Sequence, residues 1–200
     1  MGRYRESVCR ICRRENQKLF LKGAKCYTDK CGVAKRAFPA GQHGLSRKRL
    51  SDYGIQLREK QKVKRIYGLL EKQFRNYYES AVKSGGITGE VLLSTLESRL
   101  DSVLYRMGVA SSRNQARQYV SHGKVLINGK RVDIPAYLVK KGDVISFIKE
   151  FPATTAEGYE APVWIKFNNS KKQAEIMALP KRDDVGEEVN ENLIVEFYSR

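Results

Sequence analysis

Acidic residues are scarce in this chain. Against 22 Asp and Glu stand 38 Lys and Arg, for a formal net charge of +16 and a pI of about 9.8. Such an imbalance points to a polyanionic partner, because a basic surface attracts polyanions and gains free energy by releasing their condensed counterions. Long apolar runs are also missing: no stretch of 18 apolar residues exists that could span a membrane as a helix. The opening MGRYRESVCR is charged where an export signal would have its apolar core, so a cytoplasmic protein with no membrane partner is expected. Histidine occurs only twice, as His43 and His122, each in basic surroundings without a neighbouring acid or cysteine. Neither a P-loop nor a dinucleotide fingerprint is present. Nucleophilic catalysis therefore has no visible constellation, and neither an enzyme nor a small-molecule substrate is expected.

The positive charge is concentrated at the front, where the first fifty residues carry +11 of the net +16. This segment is rich in Gly, Lys, Arg and Cys, and FPAGQHGLSRKR (Phe38 to Arg49) has no regular period, so an irregular basic extension is expected over 1–44. A helical domain follows over 45–97. QLREKQKVKRIY is rich in helix formers, and Leu70, Phe74, Tyr77, Tyr78, Ala81 and Val82 recur at helical spacing, with a joint near Gly68 and an end at Gly85. TGEVLLSTLESRLDSVLYRMG reads as one further helix with a wide apolar stripe from Leu92 to Met107.

All four cysteines lie in the extension, as Cys9-x2-Cys12 and Cys26-x4-Cys31 separated by thirteen residues. Two close pairs on a short basic loop can bring four thiolates around one tetrahedral ion. Seven Lys and Arg between Val8 and Cys31 favour the thiolate form. A structural metal would organise a segment too poor in apolar residues to fold alone, at roughly 10 to 16 kcal/mol for zinc in small modules. Zinc is the expected ion, and an iron-sulfur cluster is the alternative. Two disulfides or free structural cysteines are the other readings, and disulfides suit a reducing cytoplasm poorly.

Past Gly108, Ser112 and Gln115 have capping-box spacing and open a short helix that ends at Gly123. Arg113 and Arg117 project together from it, and Lys124, Lys130 and Arg131 can extend the basic patch across the hairpin KVLI-Asn128-Gly129-KRV. Guanidinium groups suit phosphate because their planar donors can bond two oxygens at once. A KKGD turn, the strand VISFI and a strand in VWIKF follow, while FPATTAEGYEAP reads as a loop. NENLIVEFYSR fits either a capped short helix or a strand. The fold class expected is α+β: a four-cysteine metal knuckle and helical domain, then short helices packed on a small antiparallel sheet over 98–165, with 166–200 as a C-terminal segment of which 180–200 pack back on the helical part.

The stretch SRNQARQYVSHGKVLINGKRVDIPAYLVKKGD resembles the alpha-L RNA-binding module. With MGRY, the four cysteines, PAGQHG, RLSDYGIQLREKQKVKRIYG, QFRNYYE, LESRLDSVLYRMG and NENLIVEFYSR, nearly the whole chain resembles the bacterial S-four family of small-subunit ribosomal proteins. That resemblance implies a non-catalytic protein that binds the 5′ domain of small-subunit rRNA early, nucleates assembly of the subunit body and influences decoding accuracy. It implies RNA-binding positions at Arg113, Gln115, Arg117, His122, Lys124 and Asn128, with Asn128 serving the turn as well. It places Arg47, Lys48 and Arg49 toward the messenger entrance and implies small-subunit ribosomal protein S-five as a neighbour. Some members repress their own operon. Many relatives lack the cysteines, so any metal here serves structure rather than the family's RNA function. RNA-modifying enzymes carry the same module, and Arg99-Leu100-Asp101 resembles the aspartate motif of pseudouridine synthases; a helix-surface aspartate is the expected reading instead. A stand-alone RNA-binding regulator is the other alternative.

Overall fold

The computed structural model describes residues 4, 6–46, 49–148, 151, 159–168 and 170–200. Among these, eight α-helices and a five-stranded antiparallel sheet form an α+β fold. The chain divides into two compact units, one of Met1–Gly89 with Glu187–Arg200 and one of Glu90–Gly186.

The first unit begins with more order than its composition suggests. Helix α1 (Cys9–Arg14), a 3-10 turn (Gly23–Tyr27) and α2 (Gly32–Lys35) replace the expected irregular path, and α1 packs on α2. Charged side chains tie this segment down from within. Arg13 Nε donates to the Phe38 carbonyl at 2.8 Å with its guanidinium over the Phe38 ring, and Arg58 of α3 reaches Glu15 at 3.2 Å. Basic residues thus serve the fold as well as the charge.

Helix α3 (Asp52–Ile66) starts where the Ser51 hydroxyl accepts the Gly54 amide, and it ends at Gly68, whose φ of 63° lies in the left-handed region that favours glycine. Helix α4 (Glu71–Lys83) buries Phe74, Tyr78 and Ala81; Leu70 and Val82, which share their spacing, stay exposed. The last residues form a helix, α8 (Glu191–Tyr198), capped by the Asn190 side chain. It packs along α3 and buries Ile194. Tyr198 stacks on Tyr78 with ring centroids 4.5 Å apart and donates its hydroxyl to Glu71, which also accepts from Lys60 and Lys64 at 2.7 Å each.

The apolar stripe from Leu92 to Met107 is core, but it is not one helix. Helix α5 (Thr88–Glu97) and α6 (Leu100–Arg106) are separated at Arg99, whose ψ of 140° is extended. There the backbone pairs with the segment after the hairpin: Val139 N donates to Ser98 O, Leu100 N donates to Tyr137 O, and Arg99 bridges Leu138. Three-residue ladders of this kind compete with helix continuation because they satisfy the same backbone groups.

Helix α7 (Arg113–Ser121) leads into β1 (Val125–Ile127) and β2 (Lys130–Val132), joined by Asn128 and Gly129 at φ values of 49° and 79°, the geometry of a tight hairpin turn. Strands β3 (Val144–Phe147), β4 (Ile165–Asn168) and β5 (Gln173–Ile176) complete the order β2-β1-β3-β5-β4. Strand β5 was not anticipated, and the sheet continues past residue 165 because Ala174 and Ile176 alternate inward to close it. Leu100, Leu104, Met107, Ala116, Val120, Val125, Ile145 and Ile176 form the core, with Tyr137 packed against its edge. Most of the FPATTAEGYEAP loop lies outside the described residues.

Candidate nucleic-acid interface

Helix α7 is held at its start by Ser112, whose hydroxyl accepts the Gln115 amide at 3.3 Å. The reciprocal half of the capping box is shifted by one residue, since Gln115 Oε1 accepts from the Ser111 amide and hydroxyl rather than from Ser112. Gln115 Nε2 donates to the Tyr119 hydroxyl. Gln115 thus orders the helix start, which limits what it can offer a ligand. Ala116 and Val120 face the core.

Arg113 and Arg117 lie on one face, as their spacing dictates, but not as free cations. An Arg113 terminal nitrogen donates to Glu97 at 3.0 Å, and one of Arg117 donates to Asp101 at 3.3 Å. Asp101 is not a helix-surface aspartate: it is 4% exposed and takes a two-pronged bond from Arg99, at 3.0 and 2.7 Å. The break at Arg99 turns the carboxylate inward. Asp101 is therefore occupied by arginines within the fold.

His122 closes α7 and is exposed, Lys124 is half-buried, and Lys130 is exposed on β2. Arg131 is exposed and lies across Gly123, whose φ of 63° ends the helix; a Cβ there would collide with the guanidinium. Asn128 spends its side chain on the hairpin, donating to Asp143 and accepting from the Val144 amide, both at 2.9 Å. Asn114 and Gln118, four apart and exposed on α7, and Lys140 and Lys141 at the turn before β3 were passed over in the sequence. A fully polar helix face flanking the arginines was the available signal.

In the first unit Lys22, Lys25, Lys30, Lys35, Arg36 and Arg49 are exposed, while Arg47 and Lys48 lie outside the described residues. Tyr4 carries the Arg65 guanidinium 5.0 Å from its ring, and Tyr53 packs on Phe197 at 5.6 Å.

The four cysteines are free thiols, with Cys12, Cys26 and Cys31 buried. Packing of α2 on α1 brings Gly32 against Cys9, where a Cβ would sit 3.0 Å from the cysteine's own. Burial pushes the Cys12 thiol up, the Leu19 backbone amide opposes this, and charge on Cys26, Cys9 and Cys31 adds to the rise. Burial also acts to raise Cys31, but the Ala34 and Val33 amides at the start of α2, with Lys18 and Lys25, bring it below the ordinary thiol range. The surroundings of Cys31 thus favour a thiolate while those of Cys12 oppose one, and sulfur donors suit a soft ion. Among the described residues, however, no three Cys, His, Asp or Glu side chains converge as a ligand cluster.

Two family models match the chain: the ribosomal protein S4/S9 N-terminal domain over residues 3–97 and the S4 domain over 98–145. The small ribosomal subunit protein uS4 of Halothermothrix orenii is 53% identical over 208 residues, and that of Thermodesulfovibrio yellowstonii is 54% identical over 209. The uS4A protein of Alkaliphilus oremlandii is 54% identical over 208 residues. In all three, 100% of this chain aligns with 100% of the relative.

Proposed function

We infer from the chain's membership of the small ribosomal subunit protein uS4 family, to which it belongs, how its surfaces are used. It is a structural ribosomal protein that binds small-subunit rRNA, and it is not an enzyme. Full-length similarity to uS4 relatives carries this reading, because the α7-hairpin module alone occurs in other RNA-binding proteins.

In our proposal, α7 and the β1-β2 hairpin present Arg113, Arg117, His122, Lys124, Lys130 and Arg131 to phosphates of a folded junction in the 5′ domain, with Gln115 and Asn128 shaping the surface from behind. Arginine forks suit a shape-based reading of RNA. Binding there early would nucleate the subunit body. The stretch containing Arg47, Lys48 and Arg49 is assigned to the messenger RNA entrance, where the protein would contribute to decoding accuracy, and the S-five protein is the expected neighbour. Cys9, Cys12, Cys26 and Cys31 hold one structural metal, zinc before an iron-sulfur cluster. Bound metal would staple the two cysteine pairs; the chain's own part is to supply four thiols, three of them buried, with the helix-start amides, Lys18 and Lys25 favouring the thiolate at Cys31.

Hydroxyl-radical footprinting of a 5′-domain rRNA fragment tests the RNA reading. Protection confined to one multi-helix junction is expected, and diffuse protection along all helices would contradict it.

A further inference from the structure

Two of the buried carboxylates of the second unit form a repeated pattern that basic charge alone does not require. Glu97 and Asp101 are four residues apart, on either side of the α5–α6 break, and are 1% and 4% exposed. Each accepts one arginine through two prongs: Glu97 takes Arg106 at 2.9 and 2.8 Å, and Asp101 takes Arg99 at 3.0 and 2.7 Å. Each also accepts a terminal nitrogen of an α7 arginine, Arg113 for Glu97 and Arg117 for Asp101. Four guanidinium groups thus surround two carboxylates, leaving two positive charges over. Arg113 is further steadied over the Tyr105 ring, 4.6 Å from its centroid.

The two-pronged partners come from the α5–α6 region and anchor the acids. The α7 arginines, one turn apart, are reached from below by the same acids while remaining partly exposed, with side chains 11% and 17% accessible. A flexible arginine loses rotamer freedom when it binds, and one already held in place loses less. We propose that Glu97 and Asp101 are positioning residues for RNA binding, fixing Arg113 and Arg117 in the directions from which they meet successive phosphates. This deepens the reading that α7 faces RNA and rests on it.

Its consequence runs against simple charge counting. Glu97→Gln and Asp101→Asn each raise the net charge by one, so an unspecific basic surface would bind RNA more tightly. Positioning predicts the opposite for the folded 5′-domain fragment: weakening by about ten- to a hundred-fold, by analogy with the loss of hydrogen-bonded partners that orient metal-ligating side chains. Binding to tRNA, as an unselective polyanion, stays the same or tightens. The measurement is affinity of each full-length variant for both RNAs, with circular dichroism establishing that the variant is folded. In an Arg113→Ala background Glu97→Gln should change nothing further. Equal or tighter binding of the fragment by the single variants, or a Glu97→Gln loss that persists without Arg113, would overturn the proposal. If Glu97→Gln does not fold, Glu97→Asp carries the test: it keeps the charge but draws the carboxylate back from Arg113, so fragment affinity should fall while tRNA affinity holds, and unchanged fragment affinity would overturn positioning. A wild-type protein that does not prefer the fragment to tRNA overturns the RNA reading and this one together; wild-type preference retained in the variants overturns positioning alone.

Discussion

At the scale of single residues, the basic face divides into side chains that build and side chains that remain available. Asn128 builds: it holds a left-handed φ of 49° and makes two 2.9 Å bonds to the Asp143 region. Asn128→Ala should cost about 2 kcal/mol in urea unfolding, with Asn128→Gly recovering the backbone part. Lys130, exposed beside it, should behave inversely. Lys130→Ala is expected to leave the urea midpoint unchanged and to lower the log-log salt slope of RNA binding by about 1. Glu71 is a third case. Burial acts to raise its pKa, but the Lys60 and Lys64 hydrogen bonds outweigh it and bring the carboxyl from 4.5 to about 2. Its stabilising effect is therefore complete above pH 4.5 and lost as pH falls toward 2. Because the carboxylate is half-exposed, water screens the ion pairs and the loss should be about 1 kcal/mol. Urea titrations across that window should be flatter for Glu71→Gln.

At the scale of elements, what the sequence made legible was what local chemistry decides. The Asn-Gly hairpin, the Ser112 start and the Gly68 and Gly123 stops all act within a few residues, and all stand where expected. The α5–α6 break was not legible, because it depends on a backbone ladder with residues 137–139, almost forty positions away. The same distance hid the role of Asp101, whose partners Arg99 and Arg117 converge only once the break is made. Arg99→Ala should consequently destabilise the second unit by about 3 kcal/mol, since it leaves a buried carboxylate half-paired. An unchanged thermal midpoint would show that Asp101 does not need that partner. Strand β5 was missed for lack of length, four residues being too few to establish a period. Alpha-helix α8 was ambiguous in sequence and is settled by the α3 face on which Ile194 packs.

At the scale of the whole molecule, +16 of net charge is compatible with a stable fold because many cations are internally engaged, while others, such as Lys22, Lys25 and Lys30 on the extension and Lys130 and Arg131 on the hairpin, stay exposed. The cysteine spacing suggested a donor set, but spacing fixes only which sulfurs can meet, and among the described residues no ligand cluster converges. Cys9→Ser with Cys12→Ser should release about one equivalent of metal by elemental analysis and expose the first fifty residues to protease, leaving the second unit's unfolding transition in place. Protection that persists without metal would remove the staple from the account. The central claim is selective recognition of a folded rRNA junction, and binding of the 5′-domain fragment against excess tRNA across a salt series tests it most directly. The account predicts tight binding that tRNA does not displace and that survives moderate salt. Weak binding that tRNA competes away would reduce the basic face to generic charge and contradict it.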